Sequence, residues 1–215
     1  MTKSNLSINS ECQCDNTITV FGTGEVSATP DIATIITGAT TTSKQVTEAQ
    51  EENAEMIASI VSSLRTIGIP TESIQTADYR IEENVRYEDN TKIFLGYKVT
   101  HLLKVTVEPV KKAGAVIDVA VDSGANVVSD IRFEIKEPDI YYQKALSAAM
   151  EKANQKAQTI AQSLRISLPN TPHRIIETGS AAPSPRMFSE VQSTQIQPGQ
   201  LTISAQVTLI FLLTS

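Results

Sequence analysis

The chain has 215 residues, 40% of them hydrophobic, and its 18 basic and 24 acidic residues give a formal net charge of −6. This length allows a core large enough to fold without a disulfide framework or a structural metal. The acidic balance argues against a nucleic-acid partner, and no apolar run approaches the roughly 20 residues of a membrane helix.

Residues 1–16 are polar and lack the apolar block of a secretory signal, so we expect a flexible N-terminal tail and a cytoplasmic protein. Cys12 and Cys14 lie in this tail as Cys-Gln-Cys. They are too close for ordinary disulfide geometry and too few for a closed zinc site. We interpret them as reduced thiols, with a metal-capturing or intermolecular pair as the alternative.

Residues 17–215 are expected to form one domain, and their first part predicts two strands and a helix. Gly22 and Gly24 lie among alternating apolar residues, which is typical of a strand with a bulge or bend. Thr29-Pro30-Asp31 then turns the chain into a second strand, 32–42, as a hairpin-like start. Apolar spacing of three and four predicts a helix whose inner face holds Val46, Ala49, Asn53, Ile57, Ile60 and Leu64.

The middle of the chain has the clearest strand period. A β-prone stretch, 74–87, loses its alternation near Asp78, which predicts a bulge. In the next strand, 93–107, the odd positions are apolar, so one face is expected to form core. Pro109 and Gly124 bound a short helix, 110–122, and alternation predicts another strand at 131–135.

The last third predicts a long helix and two strands. Residues 138–164 form the helix, with an inner face of Tyr142, Ala145, Ala149, Ala153, Ala157, Ile160 and Leu164 that permits close approach to a sheet. The strands are 173–178 and 201–213. Between them, 180–199 is rich in Pro, Ser and Gln and predicts a mobile loop that a neighbouring subunit orders. Met187, Phe188 and Val191 are its candidate assembly residues.

The order strand–helix–strand–strand occurs twice, at about 31–108 and 126–213, with helix 110–122 as the connector. The segment from Ile60 to Arg65 partly reappears from Ile160 to Arg165, which supports an internal repeat. The predicted fold class is therefore α+β, with two related units whose antiparallel sheets pack against long helices.

Several short segments together resemble one known family. The run from Ile18 to Val26, followed by Pro30-Asp31-Ile32-Ala33, is similar to the opening signature of the SIMPL-domain family. Gly96-Tyr97, Gly124-Ala125-Asn126 and Pro198-Gly199 extend the resemblance over about residues 16–215. The resemblance implies an α+β fold and self-association, with bacterial members that are periplasmic immunogenic or oxidative-stress proteins. It implies no catalytic residues.

Few residues suggest chemistry. Gly22-Thr23-Gly24 lacks the third glycine and the following helix of a dinucleotide site, and two histidines with two tail cysteines make no convincing metal site, so we expect no cofactor and no metal. His101 lies on the apolar strand face and, with Tyr97 and Asn53, marks a candidate pocket, although a hydrogen-bonded structural histidine is the simpler interpretation. Asn53 either bonds to a backbone group or specifies helix pairing.

We therefore hypothesise a non-enzymatic module that forms a homo-oligomer through sheet edges and the 180–199 loop, with a stress-related or scaffolding role. Two alternatives stay open. One is a small-molecule binding protein or enzyme with a pocket near His101. The other is an adaptor that docks a protein partner through the loop.

Overall fold

The computed structural model describes residues 16–89, 91–180, 184–185 and 199–213, which divide into two compact units. The central unit runs from Ser27 to Pro138 and includes residues 184–185 and 199–202. The terminal unit combines the described residues up to Val26 with those from Asp139 to 180 and from Ile203 to 213. Cys12, Cys14, Met187, Phe188 and Val191 lie outside the described residues.

The secondary structure is α+β with antiparallel sheets, as predicted. Short 3₁₀ turns precede two of the elements, at Thr71–Ser73 and Val110–Lys112. The elements in chain order are β1 Thr17–Ala28, β2 Ile32–Ser43, α1 Val46–Thr66, β3 Ile74–Glu88, β4 Thr91–Val107, α2 Ala113–Asp122, β5 Val127–Glu134, α3 Pro138–Leu164, β6 Arg174–Ser180, β7 Ser184–Pro185 and β8 Leu201–Leu212.

The central unit is a four-stranded sheet with strand order β3-β4-β2-β5, and α1 and α2 pack on it. Val99, Leu103, Val105 and Val107 of β4 are buried, which confirms the core face predicted from the odd positions over the second half of the strand, whereas Leu95 in the first half is exposed. The bulge predicted near Asp78 is also confirmed, because Thr76 pairs with Leu103 and Asp78 pairs with Leu102, leaving Ala77 without a partner in the ladder.

In the terminal unit, β1, β8 and β6 form a sheet in that order, and α3 packs through its small residues. The odd positions of β8 from Leu201 to Phe211 are buried, as predicted. The inner face of α3 differs at its C-terminal end, where Ala161 is buried and Ile160 and Leu164 are exposed. The buried face of α3 is therefore formed by every fourth residue. This row of alanines runs from Ala145 to Ala161.

The bulge predicted as one role for Gly22 and Gly24 is wrong, and the bend predicted as the other stays a prediction. Both lie in an uninterrupted strand in which every second residue from Ile18 to Gly24 is buried, so the alternation is not broken there. Instead, a Cβ atom at Gly22 would collide with the carbonyl oxygen of Ala149, and one at Gly24 with that of Ala145. The glycines are needed because the backbones of β1 and α3 touch.

The hairpin-like start is also wrong, because β1 and β2 belong to different sheets. β5, the first strand of the predicted 126–213 repeat unit, pairs with β2 instead of joining β6 and β8. Alternation identifies a strand but not its partner, so the sequence pattern did not distinguish these pairings. The internal duplication stays a hypothesis, in which β1 takes the place expected of β5.

We expect Gly24→Ala to destabilise the protein by about 3 kcal/mol, because the new methyl group meets a helix backbone that has no room to yield. Urea denaturation followed by circular dichroism measures this loss. Gly114→Ala is the matched control, since a Cβ atom there meets nothing within 4 Å, and it should be neutral or stabilising by up to about 1 kcal/mol. Equal stability of the two variants would contradict the packing role.

Candidate functional site

β3 forms one edge of the central sheet and is poorly covered. α1 packs on β2 and β4, so the helical layer leaves β3 beyond its margin. All 15 positions of β3 are exposed or half-buried, including Tyr79, which is 48% exposed, and Ile81, which is 39% exposed. An edge strand presents unpaired backbone N–H and C=O groups, and apolar side chains beside them favour association.

An open groove of about 890 Å³ runs between one side of α1 and the strands β3 and β4. Tyr79 and His101 form its strand side, and small or aliphatic side chains form much of its helix side. The helix side comprises Ala54, Ile57, Ala58, Val61, Ser62, Arg65 and Thr66. We call this the α1–β3 groove.

His101 lies at the strand side of the α1–β3 groove and has two neighbours on β3. Its Nε2 atom is 3.0 Å from the hydroxyl of Thr76, and the ring of Tyr79 meets it edge-on with 5.1 Å between centroids. Gln50 of α1 donates a hydrogen bond of 3.1 Å to the Tyr79 hydroxyl. Partial burial lowers the pKa of His101 below its ordinary value, because a charged imidazolium is disfavoured away from water. The imidazole is therefore neutral at pH 7.

Among the described residues that line the α1–β3 groove, Arg65 is the one that carries a charge. It lies in the last turn of α1, exposed, and the described part of the chain offers it no ion pair. The part of the chain that the structure describes places no acidic side chain in the groove lining. The groove therefore combines an apolar side, several hydroxyl groups and one cation.

The three predicted pocket residues are not brought together. Asn53 is buried and donates from Nδ2 to the carbonyl oxygens of Ala39, at 3.0 Å, and Val99, at 3.4 Å. It thus bonds to backbone across the core, the first of the two roles predicted for it. The Tyr97 ring packs edge-on against Phe94 and is not among the residues of the groove. Of the three predicted pocket residues, only His101 lines the α1–β3 groove.

The sequence pattern did not identify three residues in and beside the groove, which are Tyr79, Thr76 and Arg65. Tyr79 pairs directly with His101 in the β3–β4 ladder, but the bulge at Ala77 changes which residues of β3 face the helices. Ala54, Ala58, Val61, Ser62 and Arg65 recur at helical spacing beside the core face, and this second stripe was the signal that could have revealed the groove.

Beyond the margin of β2, the strands β3 and β4 continue as a two-stranded arm. β2 stops pairing at Tyr97, whereas the β3–β4 ladder extends to Glu88 and Thr91. The arm exposes Tyr87 and Phe94. Across the part of the chain that the structure describes, no three His, Cys, Asp or Glu side chains are grouped to hold a metal ion.

Comparison with known proteins gives one family. Residues 18–211 match the model of SIMPL, described as a protein of unknown function, DUF541. The uncharacterized protein YggE of Escherichia coli K12 is 30% identical over 144 residues, which cover 67% of this chain and 58% of that protein. The 26 kDa periplasmic immunogenic protein of Brucella melitensis is 24% identical over 212 residues, 90% of this chain and 83% of its own length. This chain thus spans less than two thirds of the YggE protein.

We expect Asn53→Ala to lower the free energy of unfolding by about 2 kcal/mol, because it leaves two carbonyl groups in the core without this donor. Chemical denaturation measures the change. Asn154→Ala, at an exposed position of α3, is the control and should shift stability by less than about 0.5 kcal/mol. A loss as small as the control's would show that Asn53 has no such role.

We expect the His101 ring to titrate below about pH 6.5, the ordinary histidine value, in a proton NMR titration of the folded protein. Because the unfolded chain then binds the proton more readily, the contribution of His101 to stability is complete above that pH and is lost as pH falls below it. His101→Gln should remove this part of the pH dependence, whereas His173→Gln controls for losing a histidine. A midpoint above 6.5 would overturn the assignment.

Proposed function

This chain belongs to the SIMPL family, whose biochemical role is unknown, and we propose that it is a non-enzymatic scaffold that self-associates through the open edge of β3. The observation that supports the proposal is the 15-residue edge strand, which has no buried position and no strand on its outer side within the described residues. A second copy of β3 would pair with the free N–H and C=O groups and extend the sheet.

The charges of β3 are arranged so that the strand complements itself. Along its even positions run Asp78, Arg80, Glu82, Arg86 and Glu88, and these share a face, since Arg80 bonds to Asp78 and Arg86 to Glu88 two residues away. When two antiparallel copies of β3 are related by a two-fold axis, the axis passes beside one residue position. A residue a given number of positions before that point then lies opposite the residue of the second copy that is the same number of positions after it.

An axis at Asn84 gives the best match. Arg80 then lies opposite Glu88 of the second copy, and Glu82 opposite Arg86, so four opposite-charge pairs form. The same axis places Ile81 against Tyr87, which is 69% exposed. An axis at Glu83 would instead oppose Arg80 to Arg86. Cross-strand charge pairs contribute about 0.2–1 kcal/mol each, so they set the register while backbone bonds and apolar contact supply most of the affinity.

The cellular role proposed for this scaffold stays coarse. The resemblance implied stress tolerance or an envelope-related role, and we retain these as hypotheses. The name of the Brucella relative places that protein in the periplasm, so the cytoplasmic location expected for this chain stays a prediction. No helix among the described residues is long and apolar enough to cross a membrane. Assembly through Met187, Phe188 and Val191, and the alternative that the 180–199 loop docks a protein partner, also stay predictions.

We expect light scattering at micromolar concentration to give a mass at least twice the 23.3 kDa of the chain. The variant R80E/R86E makes all four facing charges acidic, and E82R/E88R makes them basic, so each should fall to half the mass or less. An equimolar mixture should associate again, because the two variants restore opposite charges at every pair.

The control is K111E/K112E, which reverses two exposed charges in the 3₁₀ turn before α2 and should keep the native mass. A wild-type protein that is strictly monomeric would end the proposal. Variants that keep the full assembly would place the contact away from β3.

A further inference from the structure

The α1–β3 groove lies beside the edge of β3 that we propose for assembly. We propose that this groove binds a small monocarboxylate with an elongated apolar body. Arg65 holds the carboxylate, the aliphatic helix side contacts the body, and the end near His101 and Tyr79 receives the uncharged tip.

The size and lining of the groove suit such a ligand. Its volume of about 890 Å³ lies within the roughly 300–1,000 Å³ of small-molecule sites. Ala54 and Ala58 are exposed on α1 and keep the groove open, because longer side chains there would fill it. Ile57 and Val61 add aliphatic surface. Contact with these residues favours an apolar ligand body by removing it from water.

The charge of the groove selects the ligand's head group. Among the described residues, Arg65 is the sole charged residue of the groove lining and forms no ion pair with a carboxylate, so its guanidinium is available to a ligand. The planar guanidinium matches a carboxylate with two parallel hydrogen bonds. Ser62, one turn before Thr66 on the same side of α1, adds a hydroxyl near this end.

The opposite end favours an uncharged tip. Ala54 and Arg65 are eleven residues apart, about 16 Å along the helix, so a ligand with its carboxylate at Arg65 and its tip toward the other end must be elongated. Tyr79 and His101 lie on the strand side, and the Tyr79 hydroxyl is held by Gln50. Neither offers a cation at pH 7 for a second carboxylate. The groove therefore favours a monocarboxylate over a dicarboxylate.

Isothermal titration with octanoate tests the proposal, with 1-octanol as the neutral analogue and suberate as the dicarboxylate. We expect saturable binding of octanoate, and weaker binding of both analogues by about tenfold or more. Arg65→Gln should weaken octanoate binding about tenfold and leave 1-octanol unchanged. Arg132→Gln, at an exposed arginine of β5, is the matched control and should bind octanoate as the native protein does.

Ala58→Leu tests the location, because the larger side chain should fill the groove and weaken octanoate and 1-octanol alike. Circular dichroism verifies that both groove variants fold. Octanoate binding that Arg65→Gln and Ala58→Leu leave unchanged would overturn the proposal, as would no saturable binding. Repeating the titration on R80E/R86E separates this result from self-association, since a failed assembly leaves the groove intact.

Discussion

The terminal unit depends on the backbone of a strand touching the backbone of a helix. Gly22 and Gly24 of β1 lie directly against the carbonyl oxygens of Ala149 and Ala145, where no side chain of any size fits. The contact fixes the register of β1 against α3. A slip of one residue would bring Phe21 or Thr23 to the helix, and a slip of two would bring Val20 or Val26. Larger side chains around the contact, such as Phe211 and Leu209, then fill the core.

The central unit follows a different plan, and its surfaces result from that plan. Ile35, Ile60, Leu64 and Val105 build a core of branched aliphatic side chains. α1 and α2 both pack on β2, and α1 also packs on β4, so the helical layer is narrower than the sheet. The strand left outside supplies both the open edge and one wall of the α1–β3 groove. Because the helices do not cover β3, the central unit has two candidate sites with different chemistry.

The sequence predicts what local periodicity encodes and misses what depends on distant partners. The odd-position faces of β4 and β8 and the bulge near Asp78 follow from alternation alone. The pairing of β5 with β2 was missed because any strand with the right alternation fits several sheets. Ile160 and Leu164 were placed inside because a 3.6-residue period allows them, whereas the contact of α3 continues to Ala161. In the candidate site, His101 was identified, but Tyr79 becomes its neighbour only through the register of β3 on β4, and Arg65 joins the same groove only through the placement of α1.

The opening segment through which this chain resembles its family has a structural role, and this decides where function should be sought. Its glycines are required by packing against α3, so a match to this segment identifies the fold of the terminal unit. The edge of β3 and the α1–β3 groove lie in the central unit, at residues with no such packing constraint. Substitutions at Arg65, Ala58 or Arg86 would change charge or shape without disturbing a core. Proteins that share this fold can therefore differ in assembly and in ligand, and family membership alone assigns neither.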